Sequence, residues 1–211
     1  MTGARESGQG RVEWRKGGRV GEFPLLDKLG QGSMGVVYFC EHVETRGRYA
    51  LKALSAQASS VLVKRFEREG QAQAAVDAHP NVLRVHSAGQ AGGYRYLVMD
   101  LAEGGDLEVR LRGGALPPLE AARIVVQLAE GLRHVHALGV LHRDLKPSNV
   151  LFDGDGVPKL VDFGLAALEG SEGLTQAGDL IGTPVYMAPE QAAGRKRDVD
   201  ERSDVYGLGA I

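Results

Sequence analysis

The sequence has little of what disulfide frameworks, cysteine-based metal sites and membrane spans are built from. Its 211 residues include a single cysteine, Cys40, which excludes an internal disulfide and a zinc site with several thiolates and is typical of a reducing compartment. No segment approaches the roughly 20 consecutive apolar residues that a membrane-spanning helix requires, and the N-terminus lacks the apolar core of a signal peptide. These absences predict a cytoplasmic protein with no membrane span in this chain.

A charge imbalance is also lacking. The 25 basic and 27 acidic residues give a formal net charge of -2, so nothing favours a nucleic acid as partner. A hydrophobic content of 43% is ordinary for a globular protein, and this length allows one core or two small lobes.

Residues 1–21 are rich in Gly, Arg and Glu, and Trp14 is almost their only large apolar residue. Such a segment buries too little surface to offset the entropy of ordering, which predicts a flexible leader. A strand that packs on the first lobe through Trp14 remains an alternative.

Residues 22–101 have the pattern of a small sheet with one main helix. Apolar pairs interrupted by glycine turns predict strands within 23–49 and over 82–85 and 94–101. Residues 60–76 predict a helix, which the His-Pro-Asn sequence at 79–81 ends.

Helical patterns dominate from residue 102 to 211. Asp106 can cap a short helix, and Pro117 and Pro118 open a long one. Its apolar residues recur at spacings of four, four and three, namely Ile124, Leu128, Leu132 and Val135. The whole pattern predicts an α+β fold in which an antiparallel-sheet lobe (22–101) precedes a mostly helical lobe (102–211).

A glycine-rich run, Gly30-Gln31-Gly32-Ser33-Met34-Gly35, follows one predicted strand and precedes another. A dinucleotide site needs a helix after the glycines, and a P-loop needs Lys followed by Ser or Thr. The run therefore predicts a hairpin whose bare backbone can approach phosphates closely. An ordinary flexible hairpin is the alternative.

Three further features follow in a fixed order. Lys52 lies in an apolar strand, where a cation needs an anionic partner. The run 142–149 reads His-Arg-Asp-Leu-Lys-Pro-Ser-Asn, and 162–164 reads Asp-Phe-Gly. With the glycine run, these sequences closely resemble the protein kinase family, specifically the eukaryotic-like Ser/Thr kinases of bacteria.

The resemblance implies transfer of the γ-phosphoryl group of ATP to Ser or Thr hydroxyls of protein substrates. It implies that Asp144 orients the hydroxyl and accepts its proton, and that Lys146 neutralises the transferring group. Asn149 and Asp162 resemble the ligands of Mg²⁺. Lys52 resembles the lysine that holds the α- and β-phosphates and pairs with a helix glutamate. Glu69 matches that glutamate best, and Glu67 is a rival.

The resemblance also implies a nucleotide pocket. The adenine is expected under Val37 and Ala50, in front of Met99, and hydrogen-bonded to the backbone of Asp100 and Ala102. Asp106 matches an acidic position that meets the ribose or a basic substrate residue. The phosphates are expected beside the glycines of the hairpin, namely Gly30, Gly32 and Gly35.

Residues 165–187 resemble an activation loop. Arg143 could receive a phosphate placed on Thr175 or Ser171, which predicts autophosphorylation with possible self-association of the chain. Asp204 resembles the residue that braces the catalytic loop.

The resemblance covers 23–211 and stops inside a helix that begins near Ser203, after which the family has further helices. We therefore expect an incomplete second lobe, with Glu190 lacking its usual arginine partner. An inactive nucleotide-binding or scaffold fragment is the alternative function. His134 and His136 point to different faces of a helix and are not expected to chelate one metal ion.

Overall fold

The computed structural model describes residues 14–32, 35–54, 58–74, 76, 78–163 and 184–211. Its strands are β1 (Arg19–Val20), β2 (Phe23–Gly32), β3 (Gly35–Glu41), β4 (Arg48–Leu54), β5 (Val85–Ala91), β6 (Tyr94–Asp100), β7 (Val150–Phe152) and β8 (Pro158–Leu160). Its helices are α1 (Ser60–Ala74), α2 (Leu107–Leu111), α3 (Pro118–Ala137), α4 (Pro189–Ala192) and α5 (Glu201–Ala210). This is the predicted α+β class. Among the described helices, none combines the length and the apolar character needed to cross a bilayer.

The chain divides into two compact units. The first contains Met1–Phe66 and Val85–Leu101, and the second contains Glu67–Arg84 and Ala102–Ile211. Residues 67–84 thus belong with the helical unit, although the sequence pattern groups them with the sheet.

Backbone pairing accounts for part of this difference. The Leu83 N–H donates to the Leu160 carbonyl (3.0 Å), and the Leu160 N–H donates to the Asn81 carbonyl (2.9 Å). The predicted strand over 82–85 is therefore wrong: Val82 forms a single bridge with Leu160, and the strand of the first unit begins only at Val85.

The first unit is built on an antiparallel sheet with the strand order β1-β2-β3-β4-β6-β5. Alternate residues of its strands point to opposite faces. One face buries an apolar cluster that includes Leu25, Tyr38, Cys40, Leu51 and Val98. The opposite face is therefore the one that carries Ala50 and Lys52.

Arg19–Val20 form β1 of this sheet, and Trp14 packs against its apolar cluster, so the flexible leader is wrong for residues 14–21 and the alternative through Trp14 describes them better. Val20 is fully buried in β1, and the Trp14 ring lies 4.9 Å from the Tyr94 ring. The Tyr38 hydroxyl donates to the Trp14 carbonyl (2.7 Å). Burial of Trp14 and Val20 outweighs the polar composition around them. Residues 1–13 lie outside the described part of the chain.

The second unit packs around α3. Its core joins Leu128, Leu132 and Val135 to Phe152 and Leu160 of the β7–β8 pair. The helix begins at Pro118, as its paired prolines predict, and the Asp106 side chain accepts from the Val109 N–H (2.7 Å) to cap α2. This framework fixes both ends of the loop between α3 and β7.

Candidate active site

The loop between α3 and β7 brings three of the predicted residues together. Oδ2 of Asp144 accepts hydrogen bonds from Lys146 Nζ (2.7 Å) and from Asn149 Nδ2 (3.1 Å). Asn149 Nδ2 also donates to the backbone carbonyl of Asp144 (2.7 Å). The Asp144 carboxyl group is thus held between a cation and an amide.

A short 3₁₀ turn, Pro147–Asn149, shapes this cluster. The proline suits the first position of such a turn, and the Asn149 N–H donates to the Lys146 carbonyl (2.9 Å). Because the Asn149 amide nitrogen faces Asp144, its Oδ1 is left as the side-chain oxygen able to meet a cation.

Asp204 of α5 stabilises the same loop through hydrogen bonds to its backbone. Its buried carboxylate accepts from the backbone N–H groups of His142 (2.8 Å) and Arg143 (2.6 Å) and contacts His136 Nε2 (2.8 Å). Burial raises the pKa of Asp204, but these hydrogen-bond donors, with the His136 side chain first among them, outweigh burial and leave the pKa below its ordinary value. The carboxylate is therefore ionised at neutral pH.

His142 is fully buried, with its ring 4.9 Å from that of Phe163. Burial lowers the pKa of His142 despite the nearby carboxylates of Asp204, Asp144 and Asp162. A neutral imidazole follows, and its Nδ1 accepts from the Asp144 N–H (3.4 Å). Asp162 follows β8 with a positive φ of 60°, a conformation rare for residues other than Gly, Asn and Asp.

The sheet register collects the predicted nucleotide residues of the first unit. Val37 of β3 lies opposite Lys52 of β4, and Ala50 lies opposite Met99 of β6. Directly paired residues share a face, and Ala50 and Lys52 are two positions apart. Val37, Ala50, Lys52 and Met99 therefore occupy one face, on which Lys52 is 8% exposed.

The three glycines of the hairpin differ in what surrounds them. A Cβ on Gly35, where φ is +147°, would lie 1.9 Å from the Ala53 carbonyl oxygen. A Cβ on Gly30 or Gly32 would meet no described atom within 4 Å. The packing of the chain therefore explains the glycine at 35 and does not explain those at 30 and 32.

Several residues of the predicted site make contacts with their near neighbours, and others lie outside the part of the chain that the structure describes. Asp106 caps α2, as noted, and the Asp100 side chain contacts His86 Nε2 (2.6 Å); Ala102 opens the second unit, where it is partly buried. The Glu69 side chain and residues 164–183, with Ser171 and Thr175, lie outside the described part of the chain.

Glu190, for which the usual arginine partner is not expected, has a serine as its hydrogen-bond partner. The buried Ser203 hydroxyl donates to Glu190 Oε1, and this hydrogen bond is the main reason why the pKa of Glu190 lies below its ordinary value. The α5 helix thus supplies Ser203 to Glu190 and Asp204 to the loop.

Sequence reasoning missed Gln191 of α4. Its Nε2 donates to the Arg143 carbonyl (2.8 Å), and its Oε1 accepts from the Ala188 N–H (3.1 Å). The bond joins positions 48 residues apart, and no periodicity or spacing in the sequence indicates it.

Comparison with known proteins gives a consistent result. The family model described as protein kinase domain matches residues 23–211. The chain is 40% identical over 199 residues to the serine/threonine-protein kinase pkn2 of Myxococcus xanthus, covering 90% of this chain and 24% of that protein. It is 39% identical over 200 residues to the serine/threonine-protein kinase PknH of Mycobacterium tuberculosis, covering 93% of this chain and 32% of that protein.

Among solved structures, the chain resembles the kinase domain of PknI from Mycobacterium tuberculosis. The TM-score is 0.70 at 32% sequence identity, and the match covers 93% of this chain and 74% of that one. By contrast, the chain spans about a quarter to a third of the length of the two relatives above.

Proposed function

This chain belongs to the protein kinase family, and we propose that it transfers the γ-phosphoryl group of ATP to serine or threonine hydroxyls of proteins. The observation that carries the proposal is the contact of Asp144 with both Lys146 and Asn149. A carboxylate, a cation and an amide at one point are the groups this transfer requires.

In the proposed reaction, Asp144 orients the substrate hydroxyl and accepts its proton as the oxygen bonds to the γ-phosphorus. The bond from that phosphorus to the bridging oxygen breaks, and ADP leaves with its electron pair. Lys146 lies 2.7 Å from the Asp144 carboxylate, so the same ammonium group can offset negative charge on the transferring phosphoryl group.

The second unit has donors that fit Mg²⁺. Asn149 presents Oδ1 because its amide nitrogen is committed to Asp144, and Asp162 supplies a carboxylate. Among the described residues, no cluster of three or more His, Cys, Asp or Glu is placed to hold a metal ion. Mg²⁺ commonly binds through one or two protein oxygens together with substrate phosphates, and when bound it would neutralise those phosphates.

Four of the residues expected at the nucleotide share one face of the sheet in the first unit. We propose that Val37 and Ala50 contact the adenine beside Met99, that the backbone of Asp100 and Ala102 binds its edge, and that Lys52 holds phosphate oxygens with Glu69 as its partner. The empty space where Gly30 and Gly32 would carry a Cβ supports close approach of the phosphates.

Arg143 supports a proposal of regulation by phosphorylation. Within the described residues, its Nε is buried and meets no hydrogen-bond acceptor. An unpaired guanidinium N–H favours an anion, and a phosphate on Thr175 or Ser171 would supply one. Autophosphorylation between two copies of the chain would place it there.

The test is transfer of label from γ-labelled ATP, with Mg²⁺, to the chain and to a generic Ser/Thr substrate. We expect transfer by the wild-type chain and a loss of at least about a hundredfold in Asp144→Asn. The control is Asp155→Asn, at an exposed aspartate nearby. Equal labelling in Asp144→Asn would refute the mechanism; no labelling by a folded wild-type chain would favour an inactive fragment. Labelled peptides without Ser171 or Thr175 would count against the regulatory part.

A further inference from the structure

The backbone immediately before Asp144 is held in an unusual conformation. Arg143 has φ of 65°, a region that L residues other than Asn and Asp seldom adopt because Cβ crowds the backbone. Such a conformation persists only where the surrounding contacts determine it. The contacts of Arg143 therefore decide where Asp144 points.

Both backbone polar groups of Arg143 are bound by side chains from other elements. Its N–H donates to Oδ1 of Asp204 in α5 (2.6 Å), and its carbonyl accepts from Nε2 of Gln191 in α4 (2.8 Å). The first contact resembles what the sequence led us to expect. No pattern in the sequence predicts the second contact, from Gln191 to the Arg143 carbonyl.

The Gln191 contact acts on the peptide group that leads into Asp144. The Arg143 carbonyl and the Asp144 N–H belong to one planar unit, so a hydrogen bond to the carbonyl fixes the orientation of the plane. The Asp144 N–H in that plane donates to His142 Nδ1 (3.4 Å). Rotation of the plane would turn the Asp144 carboxylate away from Lys146 and Asn149.

The chemistry of position 191 is specific to glutamine. Its carboxamide donates through Nε2 to Arg143 and accepts through Oε1 from the Ala188 N–H (3.1 Å). Glutamate would place an oxygen against the Arg143 carbonyl. Methionine would neither donate nor accept a hydrogen bond here, and asparagine would be one methylene too short to reach. Only glutamine provides both bonds at this reach.

We propose that Gln191 is a positioning residue for phosphoryl transfer: it holds the peptide that follows Arg143, whose φ is positive, and thereby orients the Asp144 carboxylate. The proposal rests on the proposed kinase function, because orientation of Asp144 has a catalytic consequence only if Asp144 acts on the substrate. A role limited to stabilising α4 is the competing explanation.

The test compares Gln191→Met and Gln191→Glu with wild type and with Gln127→Met, which changes an exposed glutamine of α3. We expect both Gln191 variants to lose about tenfold or more in kcat, since small misplacement of a catalytic group is costly, while KM for ATP changes less than about twofold. The Gln127 variant should match wild type. Unchanged kcat in both Gln191 variants, or an equal loss in Gln127→Met, would overturn the proposal.

Amide hydrogen exchange of residues 139–149 provides a readout independent of activity. Loss of the Gln191 bond should accelerate exchange in this loop more than in β7 and β8. If wild type shows no transfer that depends on Asp144, the proposed function fails, and this measurement still tests the contact. Loop exchange identical to wild type in Gln191→Met would overturn the positioning role even then.

Discussion

Alanine substitutions in the glycine hairpin distinguish a glycine that the fold requires from a glycine that a bound ligand would require. Because a Cβ at Gly35 would overlap the Ala53 carbonyl at a positive φ, Gly35→Ala should lower the free energy of unfolding by at least about 2 kcal/mol. Gly30→Ala and Gly32→Ala should stay within about 1 kcal/mol of wild type. Urea denaturation measures all three.

The same variants test the nucleotide side of the hairpin. If phosphates occupy the space beside Gly30, Gly30→Ala should weaken ATP binding in a titration while its stability remains near wild type. Equal stability losses at Gly30 and Gly35 would contradict the structural distinction between them.

Asp204 gives a pH-dependent prediction. Its pKa in the folded chain lies below the ordinary value, so its stabilisation is fully present above the unfolded pKa of about 3.9 and is lost as pH falls through the folded pKa. Asp204→Asn should cost about 2–4 kcal/mol at pH 7.

The cost of Asp204→Asn should narrow as pH falls below about 4, because unfolded wild type then binds a proton at Asp204 that the folded chain does not bind until its lower pKa is reached. Urea unfolding at several pH values measures the difference, with Asp155→Asn as the exposed control. A cost that stays constant down to pH 3 would show that the charge of Asp204 contributes nothing.

At the scale of elements, burial of Val20 explains why β1 joins the sheet. Val20→Ala removes a fully buried side chain and should cost roughly 2 kcal/mol, for the lost methyl groups and the cavity. Val109→Ala, at a 51% exposed position, should cost less than about 0.5 kcal/mol. Thermal or urea unfolding compares the two, and equal costs would place β1 outside the cooperative core.

The elements also show which parts of the fold the sequence could predict. The spacing of Ile124, Leu128 and Leu132 predicts α3 because helix periodicity is local, and glycines 92 and 93 predict the turn between β5 and β6. The pairing of Asn81 with Pro158 spans 77 residues, so no local pattern could assign residues 82–84 to the second unit. Trp14 supports a packed segment in the sequence only as the alternative to a flexible leader, and Val20 stands among polar neighbours that give no strand pattern.

The candidate site also has one part that the sequence predicts and one part that it does not. Asp144, Lys146 and Asn149 lie within one short run, so their proximity follows from the sequence and is seen in their hydrogen bonds. Gln191 reaches the loop from 48 residues away, through a side chain whose type is common on surfaces. Long-range polar contacts of this kind need coordinates, because they leave no periodic signal in the sequence.

For the whole molecule, nucleotide binding and phosphoryl transfer can be measured separately, because the proposed function assigns them to different residues. A nucleotide that binds only the folded chain stabilises it by RT ln(1 + [L]/Kd), about 2.7 kcal/mol at a hundredfold excess over Kd. For a chain of this length that corresponds to a rise in Tm of roughly 5–10 °C. We expect this rise with ADP and Mg²⁺, measured by thermal unfolding.

Variants of Asp144 and Asp162 test which residue contributes to the rise in Tm that ADP and Mg²⁺ produce. Asp144→Asn should keep the full rise, because the proposed role of Asp144 is on the substrate hydroxyl. Asp162→Asn should lose the Mg²⁺-dependent part of the rise and retain the part that ADP gives in the presence of a chelator. Loss of the rise in Asp144→Asn, without loss of folding, would mean that Asp144 also supports nucleotide binding. A wild-type rise without labelled transfer would indicate a chain that binds nucleotide but does not complete the reaction, since the binding residues alone suffice for stabilisation.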